Sequence, residues 1–130
     1  MKSNLIGNRR KAAQLLAFDG MQYGRCSPSD IDLSMDWAGD YFIFAELKSL
    51  GVALTEGQRR HLTGLVDGLR AGGKGAVAIF AQHCTPDCNE DVSCRDAAVR
   101  SWYDGKWHKA EPGIKLHAFI NELYEEVYKA

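Results

Sequence analysis

Carboxylates and a lysine stand in a strongly apolar stretch of this 130-residue sequence, SDIDLSMDWAGDYFIFAELKSLG at residues 29–51. Asp30 and Asp32 precede a turn-like segment, and Glu46 and Lys48 follow it. Carboxylates that meet in a fold repel each other unless a cation lies between them, and their hard oxygens suit Mg²⁺ or Mn²⁺. A lysine beside such an ion stabilises negative charge that develops during phosphate ester hydrolysis. These residue types therefore predict metal-dependent phosphodiester chemistry if the fold brings them together.

A β-hairpin would bring them together. Residues 30–37 alternate strictly between polar and apolar, residues 41–49 are rich in aromatic and β-branched side chains, and residues 38–40 suit a three-residue loop. This loop length gives one wholly apolar face, made of the pairs Ile31–Leu47, Leu33–Ala45, Met35–Ile43 and Trp37–Tyr41. The other face then pairs Asp32 with Glu46 and Asp30 with Lys48, whereas a slip of one residue would mix charge into the apolar layer.

The same pattern is compatible with a solvated sheet face that carries an ion pair. Phe42 and Phe44 share the face of Glu46 and Lys48, however, and a solvated face rarely carries two phenylalanines. We therefore expect the charged residues to lie in a covered cleft.

The remaining elements predict an α/β fold, a mixed β-sheet flanked by helices, in a single domain over residues 1–130. Helical spacing of apolar residues predicts a first helix over residues 8–22 that ends around Gly20, and further helices over residues 55–70 and 114–130. Residues 75–83 read as a buried strand, and Asp104-Gly105 reads as the turn of a second hairpin.

Asp32 and the triplet Glu46-Leu47-Lys48, on a hairpin between predicted helices, resemble the PD-(D/E)XK nuclease superfamily. That superfamily includes restriction endonucleases, Holliday-junction resolvases and phage exonucleases, and the resemblance covers roughly residues 8–83. It implies a restriction-endonuclease-like αβββαβ core and a Mg²⁺- or Mn²⁺-dependent nuclease that hydrolyses DNA. Within the superfamily, the sequence resembles small stand-alone nucleases of phages and mobile elements, of the Holliday-junction-resolvase type.

The resemblance also implies roles for individual residues. Asp32 and Glu46 would be metal ligands, the Leu47 carbonyl a third ligand, and Lys48 the catalytic lysine. Ser29 stands where the superfamily has proline, so either Asp30 or Asp32 fits the motif aspartate. The hairpin register favours Asp32, which leaves Asp30 as a second or water-mediated ligand.

Gln58 fits two interpretations. Many members of the superfamily carry a catalytic glutamine on the next helix, and Gln58 matches that position. Thr55-x-x-Gln58 also fits a capping box, in which the glutamine side chain returns to the amide at the helix N-terminus.

Basic residues near the predicted site are candidates for contacts with DNA phosphates. They are Arg59 and Arg60 on the helix of Gln58, and Arg9 and Arg10 on the first helix. A solvated helix face is the alternative for each of them. The net charge of −1 gives no general basic excess, so binding of nucleic acid depends on such a local rim.

The four cysteines predict reduced thiols, because no export signal or disulfide-rich composition accompanies them. His83, Cys84, Cys88 and Cys94 also suggest a structural zinc, although adjacent His83 and Cys84 are poorly placed to share one ion. A non-catalytic module that binds nucleic acid or protein is therefore the alternative function.

The sequence also bears on location and assembly. No apolar run is long enough to span a membrane, and the N-terminus lacks the apolar segment of a signal peptide. We expect a cytoplasmic protein without a membrane partner. A chain of this length leaves little room for a recognition module, which favours structure-selective or weakly specific action on DNA and is compatible with a homodimer.

Overall fold

The computed structural model of the chain describes residues 17–84 and 90–129. Contacts divide the chain into two compact units, Met1–Asp30 and Ile31–Ala130. The single-domain expectation stays a prediction.

In the first unit, the described residues 17–30 form turns and a short bridge. Met21 N donates to Phe18 O at 3.0 Å, and Tyr23 and Cys26 exchange backbone hydrogen bonds of 2.8 and 3.0 Å. Gly20 adopts a positive φ of 81°, which a helix does not accommodate. The prediction of a helix that ends around Gly20 is wrong for residues 17–20, and its earlier part lies outside the described residues.

The second unit contains five strands and two α-helices among its described residues. They are β1 (Leu33–Trp37), β2 (Tyr41–Ser49), α1 (Glu56–Ala71), β3 (Gly75–His83), β4 (Ala98–Tyr103), β5 (Trp107–Lys109) and α2 (Leu116–Tyr128), with a 3₁₀ turn at Cys94–Asp96 before β4. The sheet order is β1-β2-β3-β4-β5. β2 and β3 pair in parallel through the crossover helix α1, and the other neighbours pair antiparallel.

These elements confirm an α/β fold with a mixed sheet. The αβββαβ core is not confirmed, since two strands, and not three, precede α1 in the described part of the chain. Among the same residues, no helix combines the length and apolar character needed to cross a bilayer.

The register of the first hairpin is confirmed for the pairs Leu33–Ala45, Met35–Ile43 and Trp37–Tyr41. Its turn is stabilised by Asp36, whose Oδ1 accepts a 2.6 Å hydrogen bond from Gly39 N. β1 begins at Leu33, however, and the expected pair Ile31–Leu47 lies outside the strand ladder. Ile31 packs on the opposite face of the sheet from the one predicted. It precedes the first residue of β1, so the alternation of the strand does not extend to it.

In the described part of the chain, one helix packs against each face of the sheet. On the α2 face the core consists of Ile43, Ala45, Val77, Ile79, Val99 and Leu116. On the α1 face it consists of Phe44, Leu62, Val66, Ala76, Ala78 and Tyr103. The alternation of side chains along β2 and β3 therefore divides the apolar residues between two separate layers.

Candidate functional site

Asp32 and Glu46 meet where the first hairpin opens. Beyond the last ladder pair, Asp32 N donates to Glu46 Oε1 at 3.2 Å, and Leu47 N donates to Asp32 Oδ2 at 2.8 Å. Each carboxylate thus accepts a backbone N–H from the segment across the hairpin. Side-chain oxygens take the place of backbone carbonyls here, which holds both carboxylates in fixed positions.

Glu46 is the buried member of this pair. It lies on the α1 face with 3% of its surface exposed, and Gln58 Nε2 donates to its Oε2 at 3.2 Å. Gln58 belongs to the first turn of α1, so the carboxylate lies at the positive end of the helix dipole. This placement and the two N–H donors lower the cost of burying a carboxylate.

Gln58 forms the predicted capping box and also contacts Glu46, while a catalytic role for it stays a prediction. Its Oε1 accepts a 3.0 Å hydrogen bond from Thr55 N, and its own N donates to Thr55 Oγ1 at 3.1 Å, which completes the capping box. The side-chain nitrogen remains available and donates to Glu46. The helix cap therefore fixes the amide orientation that is needed to hold the carboxylate.

Lys48 lies two residues after Glu46 on the same face of β2 and is half-buried. Its ammonium group makes no hydrogen bond or ion pair with any residue that the structure describes. A half-buried lysine without such a partner is suited to bind an anionic ligand.

Carboxylate oxygens are the ligands that a hard divalent cation prefers, but three of the four oxygens of this pair already accept hydrogen bonds. Asp32 is exposed, and its Oδ1 receives no hydrogen bond from the described residues, so this oxygen is accessible to an ion. Within residues 17–84 and 90–129, no group of three or more His, Cys, Asp or Glu side chains is placed to hold a metal. Two carboxylates still suit Mg²⁺, which usually keeps several waters and binds through one or two carboxylates.

The other predicted ligands are less well defined. Asp30 ends the first unit and is exposed, and the site described here lies wholly within residues 31–130. Leu47 packs its side chain against the α2-face core, while its N–H holds Asp32. Ligation by Asp30 and by the Leu47 carbonyl stays a prediction.

The predicted basic rim is described only in part. Arg59 places its guanidinium 4.5 Å from the centroid of the Trp107 ring, a cation–π contact that joins α1 to β5. Arg60 is exposed on the same helix. Arg9 and Arg10 lie outside the described residues, so their contacts with DNA stay a prediction.

The three cysteines that the structure describes form no disulfide with one another. Cys26, Cys84 and Cys94 are exposed and free, and His83 is the last residue of β3. Cys88 lies outside the described residues. The zinc alternative consequently stays untested.

Two polar residues extend this site beyond the residues singled out in the sequence. Gln82 is the register neighbour of Lys48 in β3, and its Oε1 accepts a 2.8 Å hydrogen bond from Arg100 Nε in β4. Alternation along GAVAIFAQH was a signal for Gln82, given a parallel pairing with β2. Arg100 carried no such signal because the β3–β4 register shifts beside it.

No family model, curated protein or solved structure matches the chain. The resemblance to the PD-(D/E)XK superfamily therefore rests on Asp32, the Glu46-Leu47-Lys48 triplet, Gln58 and the order of the elements around them.

Proposed function

We propose that this protein is a Mg²⁺- or Mn²⁺-dependent nuclease that hydrolyses DNA phosphodiester bonds on a restriction-endonuclease-like variant of the α/β fold. The observation that carries the proposal is the junction of Asp32 and Glu46, whose carboxylates are each held by a backbone N–H from across the hairpin, with Lys48 on the same face of β2 as Glu46. A purely structural hairpin end would be more stable with apolar or neutral side chains at these positions.

Asp32 and Glu46 would hold the divalent ion, which, when bound, polarises a phosphoryl oxygen and makes water more acidic. Gln58 keeps the Glu46 carboxylate in one orientation through its 3.2 Å hydrogen bond. The Lys48 ammonium stabilises the charge that develops on the phosphoryl oxygens, or orients the attacking water. These roles use every polar group on this part of the α1 face of β2.

DNA is the proposed substrate because its phosphates can be reached by local cations despite a net charge of −1. Among the described residues, Lys48 and, through its hydrogen bond to Gln82, Arg100 supply cations on this part of the sheet, and Arg60 is exposed on α1. Few side chains remain to read base edges, which favours structure-selective or weakly specific cleavage.

The test is a cleavage assay on linear, branched and single-stranded DNA with Mg²⁺ or Mn²⁺. Glu46→Gln and Lys48→Met should abolish cleavage. Their matched controls are Glu56→Gln in the exposed first turn of α1, and Lys74→Met, whose only described ion pair is a surface contact of 4.0 Å with Asp40. Both controls should cut DNA like the unchanged protein.

Two outcomes would contradict the proposal. Metal-dependent cleavage that survives both site substitutions would remove Glu46 and Lys48 from the chemistry. DNA binding without cleavage of any substrate would favour the non-catalytic binding module. Titration of Mn²⁺ into the protein and into Asp32→Asn, followed by calorimetry, tests the metal site independently of activity.

A further inference from the structure

We infer that Arg100 and Gln82 form a phosphate-binding subsite next to Lys48, in which Arg100 contacts a DNA phosphate adjacent to the one cleaved and Gln82 positions Arg100. The inference rests on the proposed function, because it extends the same site across two further strands.

The subsite follows from the strand register. Lys48 and Gln82 are direct neighbours in the parallel pair β2–β3, so their Cα atoms lie about 5 Å apart and their side chains share one face. Both lie near the carboxyl ends of their strands, which end at Ser49 and His83. Ligands of open α/β sheets bind beyond these ends.

An irregularity in β4 directs Arg100 to this face. Trp102 packs towards α2 and Tyr103 towards α1, so strict alternation back along β4 would point Arg100 towards α2. The β3–β4 register shifts between Phe80 and Ala81, which inserts one extra residue in β4 at this level. Arg100 instead reaches Gln82 on the α1 side, and bulges commonly redirect a side chain in this way.

Gln82 is fixed from both ends of its amide. Its Nε2 donates to Val52 O at 2.8 Å, which leaves Oε1 to accept from Arg100 Nε at 2.8 Å. The guanidinium uses only its Nε–H to donate this hydrogen bond. Its terminal nitrogens form no further hydrogen bond or ion pair with described residues, so they can take a phosphate in the two-pronged geometry that arginine favours.

A cleft of about 210 Å³ adjoins this pair. Its wall includes Gln82, Arg100, Ser93 and Asp96. The Asp96 carboxylate would repel an anion, but it already accepts a 2.9 Å hydrogen bond from Ser93 Oγ and lies 3.7 Å from Lys115 Nζ. Arg100 therefore supplies positive charge to the wall formed with Gln82, and Gln82 is in turn the register neighbour of Lys48.

The test measures affinity for a short DNA duplex by fluorescence anisotropy in Ca²⁺ over a range of salt concentrations. Arg100→Gln should lower affinity about tenfold and reduce the slope of log K against log salt by about 0.9, the value of one phosphate contact. Arg70→Gln is the matched control, since it removes one exposed arginine from the last turn of α1 and should leave both quantities unchanged.

Two further variants separate a positioning role from a structural one. Arg100→Lys should restore the salt slope and leave affinity below that of the unchanged protein, because lysine keeps the charge without the fork. Gln82→Leu should raise KM and leave kcat within about twofold, since the charge remains but is no longer oriented.

The outcomes distinguish this inference from the proposed function. Metal-dependent cleavage together with an Arg100→Gln variant that behaves like Arg70→Gln would overturn the subsite and leave the nuclease intact. Absence of cleavage with an Arg100-dependent salt slope would support the subsite and overturn the nuclease. A chain that neither binds nor cuts DNA would overturn both.

Discussion

The two faces of the sheet differ in how far their apolar layer extends, although alternate residues of the same strands build both. On the α2 face, β3 contributes Val77, Ile79 and Ala81 in succession, and all three are fully buried. On the α1 face the same strand passes from Ala76 and Ala78 to Gln82, while β2 passes from Phe44 to Glu46 and Lys48. One face is a core along its whole length, and the other changes from core to polar site halfway along.

The difference shows how a helix can divide a face into two parts. Ala76 and Ala78 are small, so the body of α1 packs closely through Leu62 and Val66 over the first half of the strands. The first turn of α1 lies over Glu46 and contacts it through Gln58. The carboxyl ends of β2 and β3 are thereby left to polar side chains.

The largest expected effect is the loss of DNA cleavage in Asp32→Asn, which tests whether the polar part of the hairpin is a catalytic site. Mutation of a residue that hydrogen-bonds to a metal ligand typically lowers metal affinity or activity by about 10- to 100-fold. Loss of the charge of a ligand itself should therefore reduce cleavage on the order of 100-fold or more. Asp36→Asn is the matched control in the same hairpin, where the side chain accepts a hydrogen bond from Gly39 N. Equal activity of the two variants in a DNA cleavage assay would remove Asp32 from the site.

The next largest effect is expected on stability from the α2 face. Ile79 is fully buried, and Ile79→Ala should lower the free energy of unfolding by about 2–5 kcal/mol, the usual cost of such a cavity. Lys48→Met on the other face should change it by less than about 0.5 kcal/mol. Urea unfolding followed by circular dichroism measures both, and a larger loss for Lys48→Met would reverse the distinction between the faces.

A smaller pair of effects separates the helix cap from the site. Thr55→Ala should cost about 1 kcal/mol of stability and leave the Gln58–Glu46 contact in place. Gln58→Ala should cost a similar amount and also reduce cleavage about tenfold, because the hydrogen bond from Gln58 Nε2 to Glu46 is lost. If urea unfolding and cleavage rates change equally in the two variants, the whole first turn, and not the Gln58 amide, orients Glu46.

The smallest expected effect is on stability and concerns Tyr103, which belongs to the apolar core of the α1 face. Its hydroxyl donates to Asp67 at 2.8 and 3.0 Å, and Tyr103→Phe should cost about 1 kcal/mol at neutral pH. The bond to Asp67, together with burial and nearby negative charge, raises the pKa of Tyr103.

A raised pKa in the folded protein means that this stabilisation is complete below the ordinary tyrosine pKa of about 10 and is lost as pH rises through the folded value. The stability difference between the unchanged protein and Tyr103→Phe should therefore stay constant up to about pH 10 and narrow above it. Unfolding measurements across that range test the sign, and a constant difference would contradict it.

Local patterns in the sequence were sufficient for most of the second unit. Strict alternation and loop length predicted the first hairpin and its register from Leu33 to Trp37, and the bounds of β2 and β3 agree with the expected ones. Glu46 is buried as expected from Phe42 and Phe44, but Asp30 and Asp32 are exposed and Lys48 is half-buried, so the covered cleft was correct for Glu46 alone.

The failures are equally specific. Ile31 changes face because the ladder stops at Leu33, and hydrophobicity alone does not show where a strand ends. Arg100 depends on a bulge, which has no reliable signature in one sequence. The sequence supported a capping role and a role in the site only as alternatives for Gln58. That one side chain makes both contacts depends on the position of Glu46 relative to α1, which the sequence does not show.

The hydrogen bonds at the open end of the hairpin also provide a spectroscopic probe. The amide protons of Asp32 and Leu47 are bound to carboxylate oxygens and not to main-chain carbonyls. Their NMR chemical shifts and solvent exchange rates should therefore respond directly when an ion or a proton reaches either carboxylate. Two backbone resonances can thus report the occupancy of the site before any substrate is known.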